Sequence, residues 1–155
     1  MRGKRARKRT LNPDPLFKSK VVARMISVAM TQGKKSIARE IVYSAIKNLN
    51  EDEREALRIF EQAVKNVMPQ QEVRSRRVGG ATYQVPIPLK HDRSEALAVR
   101  WIIGAARSKR GRPMVEKLHD ILMDSYQNVG DAIKKRDDVH KMAEANRAFA
   151  HFARF

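Results

Sequence analysis

The stretch from Asp92 to Arg112, DRSEALAVRWIIGAARSKRGR, constrains the fold more than any other part of this chain. Leu97, Val99, Trp101, Ile102, Ile103 and Ala105 are apolar nearly all the way round a helical projection, which implies burial on more than one side. A helix of this kind is central, with other elements packed around it. Asp92 as a cap and Glu95 three residues later read as a capping box that starts it. Arg93, Arg100 and Arg107 recur every seven residues on one face, which must look outward or onto counter-charges. The helix runs into Arg107, Lys109, Arg110 and Arg112, where Gly111 can stop it. Cations suit a helix C-terminus. Four within six residues exceed what a helix exit needs, and they point to phosphate.

Around this spine the apolar residues recur at helical spacing. Val21, Val22, Met25, Ile26, Ala29 and Met30 mark a first helix carrying Lys18 and Lys20, ended by Gly33. Ile37, Ala38, Ile41, Val42, Ala45, Ile46 and Leu49 mark a second, so that Lys34 and Lys35 lie in the turn of a helical hairpin. Gly33-Lys34-Lys35-Ser36 imitates a nucleotide phosphate loop, but the earlier glycine position is Val28 and no strand precedes it. Backbone amides at the start of the second helix remain suited to a nucleic-acid phosphate. A third helix begins at the acids 51–53, carries Ala56, Leu57, Phe60, Val64 and Val67, and closes at Pro69. After the central helix, Val115, Leu118, Ile121, Leu122 and Val129 predict a fifth helix reaching Gly130. A sixth follows from Asp131, with Ile133, Val139, Met142, Ala143 and Phe149 as its apolar marks.

The period changes once. Residues 72–89, EVRSRRVGGATYQVPIPL, form two β-prone runs about Gly79-Gly80, a pair suited to the positive φ angles of a two-residue hairpin turn. In that register Arg76 lies opposite Tyr83, Arg74 opposite Val85 and Arg77 opposite Thr82. An isolated two-stranded ribbon is marginal in water, so something outside it must steady it. We read it as a protruding arm whose arginines and Tyr83 meet nucleic acid by charge and stacking. The alternative is an edge hairpin lying on the helices with solvated arginines. The start, MRGKRARKRT, holds Arg2, Lys4, Arg5, Arg7, Lys8 and Arg9 with nothing to bury. It is expected to be a disordered basic arm that orders on nucleic acid, joined by the connector Leu11 to Pro15. At the other end Phe152 and Phe155 are candidates for contact with a neighbouring protein or RNA.

The expected architecture is therefore mainly α: a single domain over 1–155 with a six-helix bundle, a β-hairpin between helices three and four, and a basic arm and connector over 1–15. A formal charge of +16, from 33 Lys and Arg against 17 Asp and Glu, asks for a large anion as partner. The absence of cysteine removes disulfides and thiolate metal sites. His91, His119, His140 and His151 sit singly, without metal-ligand spacing, so no metal or other cofactor is expected. No nucleophile elbow or dinucleotide glycine pattern occurs, and we expect no enzyme. No apolar run approaches the ~20 residues that span a bilayer. The basic start leads into polar residues and prolines rather than a secretory core, so the expected location is cytoplasmic, with an organellar matrix also open. The competing class is a helical DNA-compacting protein, since charge alone does not separate polyanions.

Four stretches carry a resemblance. MISVAMTQGKKSIAREIVYSA, NVMPQQEVRSRRVGGATYQVP, ALAVRWIIGAARSKRGRPM and EANRAFAHFARF are similar, in order and spacing, to the bacterial and organellar form of small-subunit ribosomal protein seven. PIPLKHDRSEAL departs from the usual bacterial form. The resemblance implies a six-helix fold with an extended hairpin. It also implies a primary binder of the 3′ major domain of small-subunit ribosomal RNA that nucleates assembly of the subunit head. Such a protein lies at the subunit interface near the exit-site tRNA and the mRNA, beside small-subunit proteins nine and eleven, and in many bacteria represses its own operon. Carried over by position, the RNA contacts fall on Arg2 to Arg9, Lys34 and Lys35, Arg74, Arg76 and Arg77, and Arg107 to Arg112.

Overall fold

In the computed structural model, which describes residues 3, 6 and 10–154, six α-helices surround a single continuous core. They are α1 Lys20–Ala29, α2 Lys35–Lys47, α3 Glu53–Val67, α4 His91–Ser108, α5 Met114–Tyr126 and α6 Asp131–Ala145. Between α3 and α4 run the strands β1 Gln71–Val78 and β2 Ala81–Pro88, and a 3-10 helix, Arg147–Arg154, follows α6. Arg2, Lys4, Arg5, Arg7, Lys8 and Arg9 of the basic arm, and Phe155, lie outside the described residues.

The helix α4 is the spine its sequence predicts. Ala98, Val99, Ile102 and Ala106 are completely buried, and the helix touches α1, α3, α5 and α6. Phe60 from α3, Ile46 from α2 and Leu118, Ile121 and Leu122 from α5 complete the centre of the core. Burying so many branched and aromatic side chains, each contributing about 1.5–3 kcal/mol, is what holds these helices in place.

The expected capping box is not formed. Helix α4 starts at His91 with no side-chain cap, one residue before Asp92. Glu95 is drawn inward instead, buried at 2.9 Å from Arg24 of α1, because the seam between α1 and α4 supplies a counter-charge. Two further expectations need correction. The fifth helix stops at Tyr126, leaving Val129 half exposed in the turn to α6, and Phe149 lies beyond the end of α6, packed on Tyr83 rather than in the core. Gly130 makes the α5–α6 corner at φ 90°, so close to α5 that an added Cβ would stand 2.9 Å from the Cβ of Asp124.

The hairpin has the expected register: Arg76 opposite Tyr83, Arg74 opposite Val85 and Arg77 opposite Thr82, about a turn in which Gly79 and Gly80 both have positive φ. Its root is fixed by α6. Arg136 donates to the Asn66 carbonyl at 2.6 Å, and the Gln70 amide donates to His140 Nε2 at 3.1 Å. Asn66 in turn donates its side-chain amide to the carbonyls of Ser125 and Tyr126, satisfying the open end of α5. Both sequence readings of the ribbon are therefore partly met. The turn end, residues 79–82, is exposed, whereas β1 lies along α6 and β2 against the 3-10 helix.

Candidate nucleic-acid interface

The cations fall into groups fixed by different means. The turn before α2 displays Lys34 and Lys35, both exposed. Lys34 occupies the cap position without a side-chain hydrogen bond, so amides of the first helical turn point outward beside two lysines.

The exit of α4 is more structured than its sequence suggests. Arg107 donates to the carbonyls of Val28 and Ala29, at 3.4 and 3.1 Å. These carbonyls belong to the C-terminal end of α1, five residues before Lys34, so the α4 exit and the Lys34-Lys35 turn share one end of the bundle. Lys109 pairs with Asp124 at 3.6 Å and Arg112 with Asp120 at 3.3 Å. Arg110 is exposed and makes no ion pair among the described residues. Exposed pairs of this kind contribute about 0–1 kcal/mol each, weak enough to exchange for a phosphate.

At the opposite end of α4 stand the hairpin arginines. Glu72, buried at the hairpin root, accepts from Arg74 at 2.7 Å and from Arg93 of α4 at 3.1 Å, so one carboxylate ties strand to helix. Arg93 thus turns onto a counter-charge, as its heptad face required. Arg76 donates to the Phe152 carbonyl at 3.2 Å. Arg77 is exposed and without an ion pair among the described residues. Tyr83 packs against Phe149 and Phe152, each with ring centroids 5.1 Å away, so its ring is already engaged within the chain. Helix α4 spans 18 residues. At ~1.5 Å rise per residue it is a strut of roughly 27 Å between these two cationic ends.

Lys18 and Lys20 sit exposed where the basic arm meets α1. The connector there is anchored by Asp14, a buried carboxylate that accepts from the amides of Leu16 and Phe17 and from the Tyr43 hydroxyl at 2.8 Å. Burial, together with donation to Asp14, pushes the Tyr43 hydroxyl pKa up to about 12. The roles of Asp14 and Glu72 escaped the sequence reading, and Glu95 was assigned to a cap, because each acts on a partner far away in the chain. The one available signal was an acid embedded in an otherwise basic or apolar stretch. Arg100, Lys134, Lys135 and Lys141 are also exposed, on α4 and α6, and Arg100 belongs to the heptad face already noted.

Among the described residues no three His, Asp or Glu side chains gather as metal ligands, and no helix is long and apolar enough to cross a membrane. A helical body with separate cationic ends, anchored by a few internal acids and carbonyls, defines a class: a scaffold that presents positive charge to a large anion. The chain matches the family described as ribosomal protein S7p/S5e over residues 1–147 and belongs to it. It is thus a ribosomal protein by family, not an enzyme. It is 54% identical to the small ribosomal subunit protein uS7 of Fervidobacterium nodosum, over 98% of this chain and 99% of that one, and equally so to that of Thermotoga maritima. The Chelativorans protein of the same name is 52% identical over 96% of both.

Proposed function

We propose that this chain is a structural protein of the small ribosomal subunit, a primary binder of the 3′ major domain of its ribosomal RNA that nucleates assembly of the subunit head. The reading rests on 54% identity along nearly the whole length of proteins bearing that name. The observation that carries it physically is the placement of cations at both ends of α4, each group held by a contact within the fold. A rigid spacing of charge suits a folded RNA, whose phosphates stand at fixed separations, better than a polyanion recognised by charge alone.

The contacts we assign are Arg2, Lys4, Arg5, Arg7, Lys8 and Arg9 on the arm, Lys18 and Lys20 at its root, and Lys34 and Lys35 at the α2 turn. Arg74, Arg76 and Arg77 act from the hairpin and Arg107, Lys109, Arg110 and Arg112 from the α4 exit. Tyr83, half-buried, contributes its ring. The hairpin end is directed at exit-site tRNA and mRNA, with small-subunit proteins nine and eleven as neighbours and Phe152 and Phe155 at the protein contact. The location is the ribosome of the cytoplasm. Repression of its own messenger draws on the same RNA-binding surface.

The test is a titration of folded 3′-domain RNA and of duplex DNA at matched salt, for the whole chain and for a chain lacking residues 1–10. The expected result is preference for the folded RNA, and a salt slope reduced by ~0.7–0.9 log units for each phosphate contact removed with the arm. Equal affinity for duplex DNA would sink the ribosomal assignment of this surface, and an unchanged slope would remove the arm from it.

A further inference from the structure

We propose that Phe149 and Phe152 are positioning residues: the 3-10 helix at the C-terminus is a brace that sets the pose of the hairpin, and with it the reach of Arg77. The proposal rests on the RNA-binding reading above for its functional half, and on geometry alone for its structural half.

A ribbon of two strands does not hold its own shape in water. Helix α6 fixes the root of this one through the contacts at Asn66 and Gln70. Those contacts lie at the root, short of the distal half of the ribbon that runs from Ser75 to Gln84. What lies there is the 3-10 helix, which packs far more on β2 than on α6. In the distal half its side-chain contacts meet at one cross-strand pair. Tyr83 on β2 meets the rings of Phe149 and Phe152 at 5.1 Å each, and its partner Arg76 on β1 donates to the carbonyl of the same Phe152. Phe149 and Phe152 are themselves stacked, with centroids 6.4 Å apart, so the three rings form one cluster. Both strands are therefore held by one residue, two register pairs short of the turn.

The dependence is mutual. A 3-10 helix has poor hydrogen-bond geometry, and runs beyond ~3–4 residues are uncommon, so eight residues in this form need outside support. The hairpin gives that support and receives a fixed direction in return. The alternation of a strand then assigns the arginines. Arg74 and Arg76 share the gripped face with Tyr83, while Arg77, opposite Thr82, is on the other face and stays open. The brace thus ties Arg76 and Tyr83 to the C-terminal segment before any RNA arrives, and it aims Arg77, which makes no ion pair among the described residues.

The experiment uses the full chain carrying Phe149→Ala and Phe152→Ala together. Hydrogen exchange of the amides in 73–84 should accelerate at least about tenfold, with the amides of α3, α4 and α5 unchanged. Unchanged exchange in the ribbon overturns the brace whatever RNA does. Affinity for the folded RNA should fall by about threefold or more, and the Arg77→Ala change should cost less in this background than in the unaltered chain, because a charge that is no longer aimed has less to lose. Additive losses overturn the positioning role. A gain in affinity overturns it too, since it would mean that the segment covers the hairpin rather than braces it. Phe149→Tyr with Phe152→Tyr, which keep the rings, should restore both exchange and affinity. A failure of the unaltered chain to bind the RNA sinks the RNA-binding reading but leaves the exchange result to stand or fall alone.

Discussion

The helical body and the hairpin with its C-terminal neighbour are held by opposite means. In the body, Phe60, Ile102, Leu118 and Leu122 have no exposed surface, and no single contact decides the arrangement. In the extension, order depends on a few directed contacts: Glu72 between two arginines, His140 on one amide, and Tyr83 against two phenylalanines. Apolar burial has no preferred direction and is not weakened by ionic screening, whereas the extension is built largely from groups that can change partners. The helical core holds the stability, and the hairpin depends on contacts that can be exchanged.

The sharpest way to break that contrast is to hollow the body. Phe60→Ala should cost about 3–5 kcal/mol in denaturant unfolding. A loss below ~1 kcal/mol would mean that the core yields as freely as the extension. Glu95→Gln comes next, since it leaves Arg24 without its counter-charge at the α1–α4 seam, and the expected loss is about 1–3 kcal/mol. Tyr43→Phe should cost about 1 kcal/mol near neutral pH, and it also carries a sign that can be checked. The Tyr43 pKa is raised from 10.0 to about 12 in the fold, so its contribution is complete below pH 10 and disappears as pH climbs from 10 toward 12. The stability gap between the unaltered chain and Tyr43→Phe should therefore be flat below pH 10 and close above it. A gap that widened there would refute the assignment. Arg77→Ala should have the smallest effect on unfolding, within ~0.5 kcal/mol, because the side chain is exposed and makes no ion pair among the described residues. Its effect should appear only in RNA affinity, and a larger loss of stability would place Arg77 in the structure rather than at the interface.

The same division explains what could be read in advance. Apolar spacing located every α-helix to within a few residues, and Gly79-Gly80 gave the hairpin its register, because both signals are local. The acids that organise the cations were not legible. Glu72 acts on Arg93, and Asp14 on Tyr43, across separations that no periodicity encodes. Phe149 shows the limit from the other side: its spacing continues the α6 pattern, yet the chain leaves that helix at Asn146 and gives the ring to the hairpin. The cationic residues were visible by type, whereas which of them are already engaged within the chain depends on tertiary contacts.

Gly130 carries one more implication. Its corner leaves no room for a side chain beside Asp124, and the carboxylate of Asp124 holds Lys109. A methyl group at position 130 would shove that acid aside and loosen a lysine more than twenty positions upstream. Surface charge in this molecule is thus tuned from a bend that carries no charge of its own.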